Sequence, residues 1–251
     1  MSHQGRFVWR ELLVQNQAKA SAFYSTVFGW KAVTAEMGGG YRYTLLKNGE
    51  TDVGGLTAPP ADRDVPASWL TYITVDDVDA VAARVPSLGG TVMMAPYDVP
   101  TIGRVAIVSD PQGGKFAAFQ SLTPGATDTT PQTHSFCWSV IVAKNVDAVV
   151  PFYTSLFGWT PSPMGDDASH VLFSRGEEMV ASTMQARDDA KPAQWINYVA
   201  VENLDASTKK AQAAGAELVM GPVAVPQQGS YVVVADPTGA LVALWQQAPS
   251  A

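Results

Sequence analysis

In 251 residues the sequence holds one cysteine, Cys137, and three histidines, His3, His134 and His170. A lone cysteine excludes an internal disulfide and suits a reducing cytoplasm. Lying in the apolar run Phe136-Cys137-Trp138, it reads as a small buried hydrophobe rather than a reactive thiol. Basic side chains are also few: 16 Lys and Arg against 23 Asp and Glu give a net charge of −7, and they form no cluster. Neutralising phosphates requires several cations on one surface, so neither nucleic acid nor an anionic membrane is an expected partner. No segment approaches the ~18 consecutive apolar residues of a membrane span. The first residues, Met1 to Arg6, lack the apolar core of a secretory signal. The expected location is the cytoplasm.

What the sequence does have is a repeat. Phe7-Val8-Trp9, Phe23-Tyr24 and Phe28-Gly29-Trp30 return as Phe136-Cys137-Trp138, Phe152-Tyr153 and Phe157-Gly158-Trp159, at an offset of 129 (152 − 23). Toward the ends, Asp110-Pro111-Gln112-Gly113 returns as Asp236-Pro237-Thr238-Gly239, now at 126 (236 − 110). Three residues are therefore missing from the second copy between Trp159 and Trp195, most simply in a loop. The length suits two domains of about 100–150 residues each. We read them as residues 1–122 and 134–248, joined by a Thr-, Pro- and Gly-rich linker over 123–133.

Within the first copy the pattern runs strand, helix, three strands, and then restarts. Phe7–Val14 reads as a strand and Gln17–Phe28 as a helix stopped by Gly29. Strands follow over Lys31–Glu36, Tyr41–Lys47 and Asp52–Leu56, with turns at Gly38-Gly39-Gly40 and Asn48-Gly49. The restart gives a strand at Trp69–Val75, a helix over Val78–Pro86 capped by Asp76 or Asp77, then strands at Thr91–Ala95, Arg104–Ser109 and Lys115–Gln120. A Pro-rich stretch, Ala58–Pro66, joins the two modules. The fold class is α+β: two tandem domains, each a pair of βαβββ modules forming a half-open curved sheet around a cleft.

On these residues, namely the aromatic first strand, Phe23-Tyr24, Phe28-Gly29-Trp30, Val75-Asp76-Asp77-Val78-Asp79 and Asp110-Pro111-Gln112-Gly113, the chain resembles the vicinal oxygen chelate superfamily. That superfamily includes glyoxalase I, bleomycin-resistance proteins and extradiol dioxygenases, and the likeness is to its tandem glyoxalase-like members. The resemblance implies helices outside, a cleft inside, and in catalytic members a divalent metal held by His, Glu or Gln. Carried onto this sequence, the ligand positions fall on Trp9, Leu70 and Ala117, and in the second half on Trp138, Ile196 and Ala243. None offers a side-chain lone pair suited to a metal, so no resident metal or other cofactor is expected. The histidines agree, since two lie in a tail and a linker and leave His170 alone. A weak hard cation held by Glu11, a second carboxylate and water is the residual metal reading.

Strand alternation places Val8, Leu12 and Val14 on the helix side and Trp9, Glu11 and Leu13 on the cleft side. Likewise Thr71, Ile73 and Val75 face the helix, while Leu70, Tyr72, Ala117 and Phe119 face inward. The first cleft is thus expected to hold Trp9, Tyr72 and Phe119 around Glu11. The second holds Trp138, Tyr198 and Trp245, with Val140 where Glu11 stood. Such walls either bind a flat small molecule or simply fill a barrel interior. A carboxylate on an apolar strand is costly to bury without a partner, which makes Glu11 the sharpest clue. Arg104, Arg10 or Arg42 could pair with it; alternatively Glu11 acts as a general base or holds a ligand. Arg104 joins the ligand-binding candidates, as does His170, which the repeat sets opposite Tyr43. Two function classes follow. One is a metal-free protein binding an aromatic or apolar small molecule. The other is a lyase, isomerase or dioxygenase-type enzyme acting on a small carbonyl or aromatic metabolite with Glu11 as base or metal ligand. With both modules of a cleft in one chain, either a monomer or a homodimer is compatible.

Overall fold

The computed structural model describes residues 4–36, 42–59, 65–123, 132–164, 167–186 and 192–249, without the side chains of 167–169. His3, the Gly38-Gly39-Gly40 turn, residues 60–64 of the Pro-rich stretch and 124–131 of the linker lie outside the described residues. The expected order is present four times. The first module comprises β1 (Phe7–Leu13), α1 (Gln17–Phe28), β2 (Lys31–Glu36), β3 (Arg42–Asn48) and β4 (Thr51–Thr57). The second has β5 (Ser68–Thr74), α2 (Val78–Arg84), a 3-10 turn over Pro86–Leu88, β6 (Thr91–Val99), β7 (Gly103–Ser109) and β8 (Lys115–Ser121). The third has β9 (Phe136–Ala143), α3 (Val146–Phe157), β10 (Thr160–Met164), β11 (Asp167–Arg175) and β12 (Glu178–Gln185). The fourth has β13 (Gln194–Ala200), α4 (Leu204–Ala213), β14 (Glu217–Val225), β15 (Gly229–Ala235) and β16 (Leu241–Gln247).

The strands make two open mixed sheets, ordered β2-β3-β4-β1-β5-β8-β7-β6 and β10-β11-β12-β9-β13-β16-β15-β14. Local chemistry sets the helix bounds. The side chains of Asn16, Asp77, Asn145 and Asn203 accept from the backbone N–H of Lys19, Ala80, Ala148 and Ala206, satisfying donors that the first turn cannot pair. Gly29 and Gly158 end α1 and α3 at φ of 74° and 71°, where a Cβ would be strained. Removing one cap, Asn203→Ala, is expected to lower stability by about 1 kcal/mol in a denaturant titration, with the slope unchanged.

Strand registers locate the missing residues. Leu45 lies opposite Gly55 and Leu172 opposite Ser182, both at an offset of 127 (172 − 45, 182 − 55). Two residues are therefore lost between Trp159 and Leu172, and one between Ser182 and Trp195.

Compactness divides the chain differently from the repeat. One unit joins Met1–Trp9, Leu70–Thr129 and Ser139–Trp195; the other joins Arg10–Trp69, Thr130–Trp138 and Ile196–Ala251. Each draws on both copies. The first unit buries Ile73, Val108 and Phe116 with Ile141, Phe152, Leu156 and Trp159, on the sides of β5, β7 and β8 that face α2 and α3. The second buries Leu12, Phe23, Val27 and Trp30 with Val199, Leu204, Val232 and Leu244, beneath α1 and α4.

The family's marker residues lie inside these cores. Tyr153 donates to buried Asp110 Oδ2 at 2.8 Å in the first unit, and Tyr24 donates to buried Asp236 Oδ2 at 2.9 Å in the second. Trp69 Nε1 in turn donates to the Tyr24 hydroxyl at 2.9 Å. Burial, followed by the adjacent carboxylate, pushes both phenols well above the ordinary tyrosine range. One side assignment needs correction. Val8, expected on the helix side, packs with Leu70, Val105, Ala117 and Phe119 on the opposite face. The residues just before β1 are bonded to the end of β5 (Gly5 N to Thr74 O, 2.7 Å; Thr74 N to Arg6 O, 2.8 Å), so Val8 follows that module's faces and not those of α1.

Candidate functional site

The first unit has an open face on the side of β5 and β8 away from the helices. Tyr72 and Ala117 are register partners in the parallel pairing of these strands, so Leu70, Tyr72, Ala117 and Phe119 share that face. Tyr72 meets Phe119 edge-on at 6.1 Å, with Val8, Val99, Val105 and Ile107 packed around them. Leu70, Ala117 and Phe119 are buried, whereas Tyr72 and Trp9 are half-buried. His170 is half-buried on β11 of the same unit.

Arg104 is placed otherwise than its candidacy as a ligand group suggests. Its Nε and Nη2 donate to Asp79 at 2.7 and 3.0 Å, and its Nη1 to Asp98 at 2.7 Å. Two carboxylates hold the guanidinium and raise its pKa further. This arginine fastens β7 to α2 and β6.

The second unit repeats the open face. Tyr198 pairs in register with Ala243, and Trp245 lies two residues further along the same side of β16. Ring centroids of Tyr198 lie 5.2 Å from Tyr231 and 6.5 Å from Trp245. Burial, then Tyr231, raises the Tyr198 phenol above its ordinary range. Trp138 is half-buried on β9. Its neighbour Cys137 is half-buried too, with Sγ 3.5 Å from Tyr198 O. Burial pushes this thiol up to about 11, more than the Arg10 charge lowers it, so it stays protonated at neutral pH.

Glu11 also belongs to the second unit. It pairs in register with Gly55, on the face of β1 opposite the buried Leu12. Its Oε1 accepts from the Tyr43 hydroxyl at 2.7 Å. Tyr43 was absent from the residues the sequence singled out. The signal was Gly54-Gly55 within a strand, which marks close approach: a Cβ on Gly55 would collide with the Tyr43 hydroxyl, and one on Gly54 with Arg10 O. The arginines considered as partners for Glu11 make the following contacts. Arg104 is held as above, and Arg42 pairs with Glu36 at 3.2 Å. Arg10 donates to Asn197 Oδ1 at 3.4 Å and lies 5.4 Å over the Phe136 ring, where burial lowers its pKa to about 10.

At the positions where the resemblance sets the metal ligands, the side chains present do not fit a metal. Trp9, Leu70 and Ala117 fall in one unit and Trp138, Ile196 and Ala243 in the other, and each set lacks imidazole, carboxylate or thiolate. Among the described residues no group of three or more His, Cys, Asp or Glu could hold a metal ion. Among the same residues no helix is long and apolar enough to cross a membrane.

Tandem paired βαβββ modules define a glyoxalase-like class of protein. Comparison with known proteins makes this specific. The profile described as Glyoxalase/Bleomycin resistance protein/Dioxygenase superfamily matches residues 6–117 and again 135–244. A Mycobacterium tuberculosis protein with the provisional name glyoxylase CFP32 is 32% identical, over 98% of this chain and 96% of its own length. The anthracycline biosynthesis protein DnrV of Streptomyces peucetius is 28% identical, over 94% and 91%. Among solved structures, the Mn(II)-bound glyoxalase of Novosphingobium aromaticivorans superposes at a TM-score of 0.64 with 18% identity, covering 97% of this chain and 82% of that one. The 2,3-dioxygenase LapB of Pseudomonas sp. KL28 does so at 0.63 with 13% identity, covering 99% and 94%. The chain belongs to the glyoxalase/bleomycin-resistance/dioxygenase superfamily.

Proposed function

We propose that this protein binds an aromatic or apolar small molecule on its aromatic open faces without a resident metal. The observation that carries this reading is the substitution of the metal positions by Trp9, Leu70 and Ala117 and by Trp138, Ile196 and Ala243. Beside them lie the ring pairs Tyr72–Phe119 and Tyr198–Trp245. Tyr72 and Trp245, the half-buried member of each pair, offer stacking area at little conformational cost, the chemistry that holds flat ligands. Kinship with a protein named for anthracycline biosynthesis supports an aromatic ligand, anthracyclines being planar polycycles. We place the protein in the cytoplasm. Because the modules are supplied in cis, a monomer suffices; sedimentation velocity tests this against a homodimer.

A thermal-shift titration tests the reading. A planar aromatic such as 2-naphthol at about 100 times its Kd stabilises the native state by ~2.7 kcal/mol. For a chain of this size that corresponds to roughly 5 °C or more. Trp9→Ala or Trp138→Ala is expected to diminish the shift, and Mn²⁺ to produce none. A stoichiometric metal in the purified protein, or a Mn²⁺ shift abolished in Glu11→Gln, would instead favour the enzyme reading. The Tyr43–Glu11 bond is what keeps that second reading in play, since it positions a carboxylate that could act as a base.

A further inference from the structure

We propose that the groove between α1 and α4 in the second unit binds a slender apolar carboxylic acid, with its hydrocarbon body between the helices and its carboxylate on Lys19 or Lys210. The site lies on the helical side of the sheet and stands independently of the aromatic open faces.

The groove has a volume of about 430 Å³, within the range that takes small ligands. Ala22 and Phe23 of α1, Ala214 at the end of α4, and Pro237 supply its apolar walls. Phe23 is buried and forms the floor, while the small side chains at 22 and 214 leave room above it. Lys19 and Lys210 line the groove as well, and no acidic residue does. Lys210 Nζ donates to Val27 O at 3.3 Å, which sets its ammonium beside the last turn of α1, whereas Lys19 belongs to the first turn. Eight residues separate the two places (27 − 19), about 12 Å along the helix. An apolar body lying along the groove therefore meets an ammonium toward either end.

The first unit shows what the same helix pair is like when closed. By the repeat, Pro151 and Leu88 stand where the second unit has Ala22 and Ala214, at offsets of 129 (151 − 22) and 126 (214 − 88). Leu88 packs on the first unit's core. Ala148 takes the place of Lys19, and Arg84 that of Lys210, with its Nη2 donating to Ser155 O at 2.7 Å. One helix pair thus carries apolar bulk and a guanidinium bridge; the other keeps a slot with two cations. The groove follows from these side chains and not from the module, which folds either way.

Charge and apolar area together select the ligand. An ammonium only donates, through three N–H groups, and a carboxylate only accepts. Among the described residues neither lysine is ion-paired with a carboxylate of the protein, so both can receive one from outside. The net charge of −7 works against an anion over most of the surface, which makes a preference for an anionic head a local property of these two lysines. The apolar walls favour a hydrocarbon body over a bare anion such as phosphate.

The test titrates the whole chain by calorimetry with decanoate and with decyltrimethylammonium, which share a tail length and carry opposite heads. Wild type is expected to bind decanoate with a Kd of about 1 mM or tighter, and at least fivefold more tightly than the cation. Raising the ionic strength should narrow that preference. Ala214→Leu, which copies Leu88 of the first unit, should weaken decanoate at least tenfold, and Ala22→Leu provides a second way of filling the slot. The double variant Lys19→Gln, Lys210→Gln should bring the two heads within twofold of each other. Circular dichroism confirms that each variant is folded. A wild type that does not bind decanoate, that binds both heads equally, or whose decanoate affinity survives both filling variants would overturn the site.

Discussion

Residues 1–122 produced alone are expected not to fold. This first copy contributes Ile73, Val108 and Phe116 to one core and Leu12, Phe23 and Trp30 to the other. The counterparts of both groups, Phe152, Leu156 and Trp159 in one unit and Val199, Val232 and Leu244 in the other, lie beyond the linker. Fully burying one large apolar side chain is worth about 1.5–3 kcal/mol, so losing a dozen such partners outweighs a typical net stability of about 5–15 kcal/mol. The isolated segment should show no cooperative thermal transition and should bind a hydrophobic dye. Mixing it with residues 132–249 should restore a single transition, since the two segments together contain both cores. A cooperative transition in residues 1–122 alone, near the melting temperature of the whole chain, would mean that each copy folds independently.

Why the sequence does not disclose this pairing is a matter of symmetry. Phe23-Tyr24 and Asp110-Pro111 recur together, so a tyrosine–aspartate bond within each copy and one between copies satisfy the same pattern. The structure pairs Tyr24 with Asp236 and Tyr153 with Asp110, 212 and 43 residues apart. Signals that depend on neighbours a few residues away were legible. The stretch Gln17–Phe28 is a helix to the residue, because Asn16 and Gly29 bound it, and alternation placed Ile73 and Val75 opposite Leu70 and Tyr72. Periodicity was less informative at edges. The strand expected over Thr91–Ala95 runs on to Val99 through Pro96, which an edge strand tolerates since β6 ends its sheet. On β5 and β8 the shared face of Leu70, Tyr72, Ala117 and Phe119 was legible because period two assigns faces. The partners of the charged residues were not, because they depend on register. Arg104 is opposite Asp98 in the β6–β7 pairing, and Tyr43 reaches Glu11 across the glycine strand between them.

The second large effect is expected at the buried aspartates. Asp236 accepts four hydrogen bonds: from the Tyr24 hydroxyl at 2.9 Å, Thr238 N at 2.7 Å, Thr238 Oγ1 at 2.6 Å and Ala240 N at 3.1 Å. Alanine there would strand these donors, several of them buried, at about 1–3 kcal/mol for each that water cannot reach. A loss of roughly 3–5 kcal/mol follows for Asp236→Ala, read from the midpoint of denaturant unfolding. Asp110, which accepts from Tyr153, Gln112 N and Gly114 N, should behave alike and somewhat more mildly. Burial raises the Asp110 carboxyl above the usual aspartate range despite these donors, so part of their contribution is already offset by desolvation. Tyr24→Phe removes one bond to Asp236 and leaves Trp69 Nε1 without its acceptor, an expected cost of about 2 kcal/mol. The informative quantity is the double mutant. If Tyr24 and Asp236 act as one unit, Tyr24→Phe should add little once Asp236 is alanine, a coupling of 1 kcal/mol or more. Strict additivity would mean that the Tyr24–Asp236 bond does not couple the two halves of the second unit, with the aspartate serving its turn and nothing further.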